Sequence, residues 1–210
     1  MATLRSQQKE ATRALLYDVA MRLFERDGYD AVNVDDIVRE SAVARGTFYF
    51  HYDSKEDILY EAVRRGEHAI VARMAAVGPE RPFREVLQAT CDAFAEIWGG
   101  RRSLLADAGA VGMRRIVSVP QHRDQEPLRL ELVKHVERAL AGGELRTTLP
   151  AQMLADVFLL DVFAALMAWA ATGDPPLTVV MPAMIDLFLR GAEGFGTVPK
   201  PREAARRRKR

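Results

Sequence analysis

Apolar positions in the first third of the chain recur at the spacing of one helix face. Leu15, Leu16, Val19, Ala20, Leu23 and Phe24 share a side, with Arg22, Glu25 and Arg26 opposite, which predicts a helix from about Ser6 to Arg26. Asp27-Gly28 ends it, because glycine accepts the left-handed backbone of a helix terminus. Asn33, followed by Val34, Asp35, Asp36, Ile37 and Val38, places a side-chain acceptor and then acids in a first turn, the signature of a short second helix. A compact third segment runs from Arg45 to Tyr52, and Asp53 or Ser54 can cap a fourth helix reaching about Ala76. Its inward positions are Ile58, Leu59, Ala62, Val63, Ile70 and Met74.

Beyond Gly78-Pro79 and Pro82, helical patterning returns at Phe83 to Trp98, Leu104 to Val117, Pro127 to Ala141, Ala151 to Ala171 and Leu177 to Phe195, separated by glycine and proline. No alternating run is long enough for a strand, so the expected class is all-α with about nine helices. The last two helices are apolar on more than one face, which either deep burial or a bundle shared between two copies explains. We expect the homodimer, with Phe163, Ile185 and Phe188 at its interface together with Phe158.

With 210 residues, 49% of them hydrophobic, the chain can bury a sizeable core. Charges at Arg5, Lys9, Glu10 and Arg13 interrupt the start before any apolar run, so a secretory signal is not expected. Asp156 and Asp161 break the most apolar late stretch, which therefore reads as a buried helix rather than a membrane span. A single cysteine, Cys91, precludes an internal disulfide and fits a reducing cytoplasm; it serves as a small core residue or as a sensor thiol. His68, His122 and His135 lack metal-ligand spacing. No metal site, cofactor or catalytic frame is indicated, which argues against an enzyme.

Net charge is +1, but Arg202 to Arg210 hold six basic residues and one acid, leaving the remainder at −4. That balance disfavours nucleic-acid binding over the whole surface and favours a small, shaped contact. The tail itself reads as a solvated, disordered end or as an auxiliary arm for DNA phosphates.

Three short helices within about 50 residues, the second and third joined by a tight turn, suit a helix-turn-helix, although such units also exist purely for packing. Ile37, Val38 and Val43 can lie beneath Phe48, leaving Arg45, Thr47, Tyr49 and His51 to point outward. Phe50 suits core or surface equally.

The stretch Val34 to Leu59 resembles the TetR/AcrR family of bacterial repressors. The likeness lies in Gly28-Tyr29, in Gly46-Thr47-Phe48-Tyr49-Phe50-His51 and in Ser54-Lys55-Glu56, and it covers roughly residues 7–60. Farther along, only Gly143-Glu144-Leu145-Arg146 adds to it. The resemblance implies a DNA-binding domain over residues 1–55, a helical ligand-binding and dimerisation domain over 56–198, and the basic tail over 199–210. It also implies a cytoplasmic homodimer that represses from an inverted-repeat operator on double-stranded DNA and is released by a small-molecule effector.

By the same resemblance Arg45 and Thr47 read bases, Gly46 allows close backbone approach, and Tyr49, His51 and Lys55 hold phosphates. Candidate pocket residues are Phe94, Trp98, Met113, Phe158, Met167 and Trp169. Three positions depart from the family pattern: Ala42 where the turn usually has glycine, Ala44 where a serine usually caps the recognition helix, and the acid Asp35 near an outward position of the second helix. These departures support the alternative of a helical interaction module with weak or lost DNA binding.

Overall fold

The computed structural model describes residues 4–78, 80–118 and 127–194. The tail from residue 199 and His122 lie outside the described residues.

Within them the fold is all-α, with nine helices and no strand: α1 (Leu4–Asp27), α2 (Val34–Ser41), α3 (Arg45–His51), α4 (Lys55–Val77), α5 (Phe83–Trp98), α6 (Arg102–Ser118), α7 (Pro127–Ala141), α8 (Ala151–Thr172) and α9 (Leu177–Gly194). The start signals operate as expected. Asn33 accepts from the Asp36 amide while the Asp36 carboxylate accepts from the Asn33 amide, a reciprocal capping box. Of the two candidate caps for α4, it is Ser54 that accepts from the Asp57 amide.

Ala42 closes α2 at φ 54°, ψ 29°, a left-handed conformation in which its Cβ is strained. Ala44 opens α3 with no side-chain acceptor for the first amides. Both departures from the family pattern thus fall at positions where the backbone geometry makes them costly.

α1 packs on α2 and α4, and α2 on α3, forming a small N-terminal head. Phe48 and Ile37 are fully buried beneath the α2–α3 turn, and Phe24 and Tyr52 close the same core. α4 leaves the head and packs on α5, α6 and α7; α8 contacts α6, α7 and α9, and α5 rests on α9.

α8 is long and apolar enough to cross a membrane by length and composition. It nevertheless turns Leu154, Ala155, Phe158, Val162 and Leu166 into the protein core, and Asp156 pairs with Arg129 of α7 at 2.6 and 3.2 Å, as in an ordinary core helix. Its other side is different. Met153, Val157 and Leu160, followed by Ala164, Ala168 and Ala171, form an exposed apolar stripe, and Val179, Ala183 and Leu187 continue it on α9.

The expected interface residues do not lie on this stripe. Ile185 and Phe188 are 0% and 5% exposed within one chain, and Phe158 meets Phe188 edge to face with centroids 5.1 Å apart. Phe163 points towards an internal cavity. Each is therefore core or cavity wall, and the apolar surface that lacks cover belongs to Leu160 and Leu187, 51% and 72% exposed.

Candidate nucleic-acid interface and internal cavity

α3 has two turns and two sides. Phe48 and Tyr52 face the head core, while Arg45, Gly46, Tyr49 and Phe50 are exposed, one helical stripe of positions i, i+1, i+4 and i+5. Thr47 and His51, expected to point outward, are half-buried beside that stripe.

The Arg45 guanidinium is ion-paired with Asp35 of α2 and reaches the Tyr49 hydroxyl at 3.4 Å. Gly46 has open space where a Cβ would stand, so the backbone there can approach a partner closely. Phe50, for which both core and surface were open, lies on the surface, with the Lys9 ammonium of α1 5.1 Å from its ring centroid.

Lys55 behaves differently from the expected phosphate donor. Its ammonium donates to the carbonyls of Tyr29 at 2.7 Å, Val32 at 2.8 Å and Asp30 at 3.4 Å, and it sits 4.3 Å from the Tyr29 ring centroid. An ammonium has three donors, and all three meet the α1–α2 loop. In this arrangement Lys55 ties that loop to the start of α4.

His51 has a buried Nδ1 without a hydrogen-bond partner. Burial first, then the cations of Arg13 and Lys9, push its imidazole below the ordinary value of 6.5. Its carbonyl accepts from Arg13 at 2.8 Å.

The join between α3 and α4 is polar and half-buried. Glu61 of α4 accepts from Arg13 of α1, from the Tyr52 hydroxyl at 2.9 Å and from Arg65 at 2.6 and 3.0 Å. Burial works against the Glu61 carboxylate, but the three donors outweigh it and hold the carboxyl below its usual range. Arg13 also lies over the Tyr52 ring and Arg65 over the Tyr17 ring, 4.3 and 3.7 Å from their centroids. Sequence reading missed this cluster because it assembles residues 48 positions apart.

The next turns of α4 line a cavity of about 210 Å³. Val63, Glu67 and Ile70 form one wall, Phe94 and Trp98 of α5 a second, Gly109, Gly112 and Met113 of α6 a third, and Phe163 and Met167 of α8 a fourth. Leu128, Arg129 and Asp156 close the end. Four of the six expected pocket residues, Phe94, Trp98, Met113 and Met167, therefore line the cavity. Phe158 is buried against Phe188, and Trp169 packs elsewhere on the core.

Gly109 keeps this wall open: a Cβ there would stand 2.8 Å from the Met167 sulfur and 3.2 Å from the Phe163 ring, and the flexible end of Met167 would have to shift. α6 also touches the head, through Arg114–Glu56 at 3.1 Å, and the preceding loop does so through Arg101–Glu25 at 2.8 Å. Cys91 is fully buried away from these walls, and burial pushes its thiol up to about 12, which removes thiolate chemistry.

Comparison with known proteins agrees with this geometry. Residues 16–62 match the family described as "Bacterial regulatory proteins, tetR family". The HTH-type transcriptional regulator SrpR of Pseudomonas putida is 29% identical over 94 residues, 44% of each chain. AcrR of Shigella flexneri, also an HTH-type transcriptional regulator, is 34% identical over 61 residues, 29% of this chain and 28% of that protein. The chain thus spans less than half the length of these two curated relatives. Similarity of fold extends farther: the Thermus thermophilus FadR repressor, solved with lauroyl-CoA, superposes with a TM-score of 0.69 over 91% of this chain and 98% of its own, at 20% identity.

Proposed function

From the premise that the chain belongs to the TetR/AcrR family of bacterial transcriptional regulators, we propose that it is a cytoplasmic, ligand-responsive repressor that binds an inverted-repeat operator as a homodimer and releases it when a small molecule fills the cavity. The observation that carries this reading is the continuity of α4. Its residue Glu61 holds the head through Arg13 and Tyr52, and Val63 and Glu67, within the next two turns, form a cavity wall. A ligand that displaces this wall displaces the head, and in a dimer it changes the separation of the two α3 helices.

Arg45 reads a base, Tyr49 holds a phosphate, and the half-buried Thr47 and His51 contribute at the edges of the stripe. Two copies join through the uncovered stripe of Met153, Val157, Leu160, Val179 and Leu187. Small residues Ala164, Ala168 and Ala183 on the same faces permit close helix approach.

The cavity fits a small molecule. Most of its wall is aliphatic or aromatic, and its polar groups Glu67, Arg129 and Asp156 favour a ligand with an apolar body and one hydrogen-bonding end.

A gel shift against DNA upstream of its own gene tests the repressor reading, and protection of an inverted repeat with half-sites about 34–36 Å apart, or a multiple of that, is expected. Gly109→Val, which fills the cavity, should leave operator binding intact and abolish release by any effective small molecule. Absence of any DNA complex would favour the interaction-module reading instead, for which Asp35, Ala42 and Ala44 already argue.

A further inference from the structure

Phe50 is the side chain whose placement the proposed function leaves unexplained. It is 68% exposed, with only the edge of the His51 ring, centroids 5.1 Å apart, and the Lys9 ammonium against it, whereas Phe48 is buried and Tyr49 meets Arg45. What distinguishes it from other exposed apolar side chains is its place: it stands on the same outward face as Arg45 and Tyr49, so whatever meets that face meets its ring.

Its surroundings identify the occupant's chemistry. Phe50 shares the outward stripe of α3 with Arg45, Gly46 and Tyr49, and Lys9 of α1 stands over its ring. An apolar ring with the Lys9 ammonium beside it fits a surface that is anionic outside and offers an apolar group within reach. In the major groove of duplex DNA that group is the C5-methyl of thymine.

We propose that Phe50 reads a thymine by contact with its methyl group, while Lys9 serves the flanking phosphate. The inference rests on α3 entering the major groove. Arg45 and Phe50 are five residues apart, about 7.5 Å along the helix, and successive base pairs stand about 3.4 Å apart. The thymine is therefore at a different base pair from the one that Arg45 reads.

The test replaces that thymine by uracil, which removes one methyl group and nothing else. An operator is first selected from a random duplex pool with the full-length protein, and affinity is then measured on thymine and uracil versions with native protein and Phe50→Ala. A buried methyl is worth about fourfold in affinity per half-site, so native protein should lose about 15-fold when both half-sites carry uracil. Phe50→Ala should bind both versions equally, and a thermal melt matching the native one shows that the exposed position has not disturbed the fold.

Equal native affinity for thymine and uracil at every position of the operator would overturn the proposal while leaving operator binding intact. An equal uracil penalty in native protein and Phe50→Ala would overturn it as well, and would assign the methyl to Thr47. Failure of the pool to enrich any sequence would instead overturn the DNA-binding reading on which the proposal rests.

Discussion

The carboxylate of Asp35 on α2 is ion-paired with the guanidinium of Arg45, the first residue of α3. Both groups are exposed, so the pair adds little to stability. For the proposed base reading by Arg45 its consequence is recognition: an acid beside that arginine repels phosphate and limits the ways in which Arg45 can contact DNA. Asp35→Asn should raise affinity for scrambled duplexes more than for operator, narrowing the ratio between them. Titrations of both duplexes at several salt concentrations check this, and an unchanged ratio would separate Asp35 from specificity.

Two alanines in the turn set a stability prediction. Ala42 occupies a left-handed conformation that glycine adopts freely, and Ala44 leaves the α3 terminus uncapped. Ala42→Gly and Ala44→Ser should each stabilise the protein by about 1 kcal/mol. Urea unfolding measures both, and because the sites are close their sum need not be additive.

The dimer prediction separates surface from core. Leu187→Arg or Leu160→Asp places a charge in the proposed interface and should yield folded monomers on sizing with light scattering. Phe188→Arg places one in the protein interior and should cost several kcal/mol of folding stability. Folded dimers from both surface variants would exclude the α8–α9 stripe as the interface.

A pH dependence follows from His51. Its folded-state value lies below 6.5, so the unfolded chain binds a proton that the folded one resists. Stability therefore falls as pH drops below about 6.5, and His135, lowered mainly by its own burial, acts in the same direction. A nearby phosphate favours the imidazolium, so operator affinity should rise over the same range. His51→Gln should flatten the affinity profile and leave the His135 contribution to stability. Thermal melts and titrations between pH 5 and 8 follow the two effects.

Much of this was legible in the sequence where the signal was local. The Asn33 cap of α2, the glycine after α1 and the apolar period of α4 all depend on residues within a few turns of one another, and each stands where it was expected. The outward face of α3 was harder. Arg45, Thr47, Tyr49 and His51 form an every-second-residue set, whereas the 3.6-residue period of the helix exposes Arg45, Gly46, Tyr49 and Phe50.

The apolar helices show a different limit. α8 carries hydrophobic residues all round, so sequence reveals that two faces need cover but not which one meets the protein's own core; Phe188 and Leu187 are neighbours with opposite fates. Lys55 sits within a recognisable motif, yet its ammonium is taken by carbonyls more than 20 residues away, a contact fixed by tertiary structure alone.

The proposed function stands or falls with the outward stripe of α3 reading DNA through Arg45. Its most direct test is the affinity of native protein and Arg45→Ala for a selected operator and for a scrambled duplex, across salt concentrations. The expected result is a loss of about 1–3 kcal/mol on the operator with relaxed preference at one symmetric base pair per half-site, and a much smaller change on scrambled DNA. Equal affinity of native protein for operator and scrambled duplex, or an Arg45→Ala variant with unaltered affinity and base preference, would contradict it.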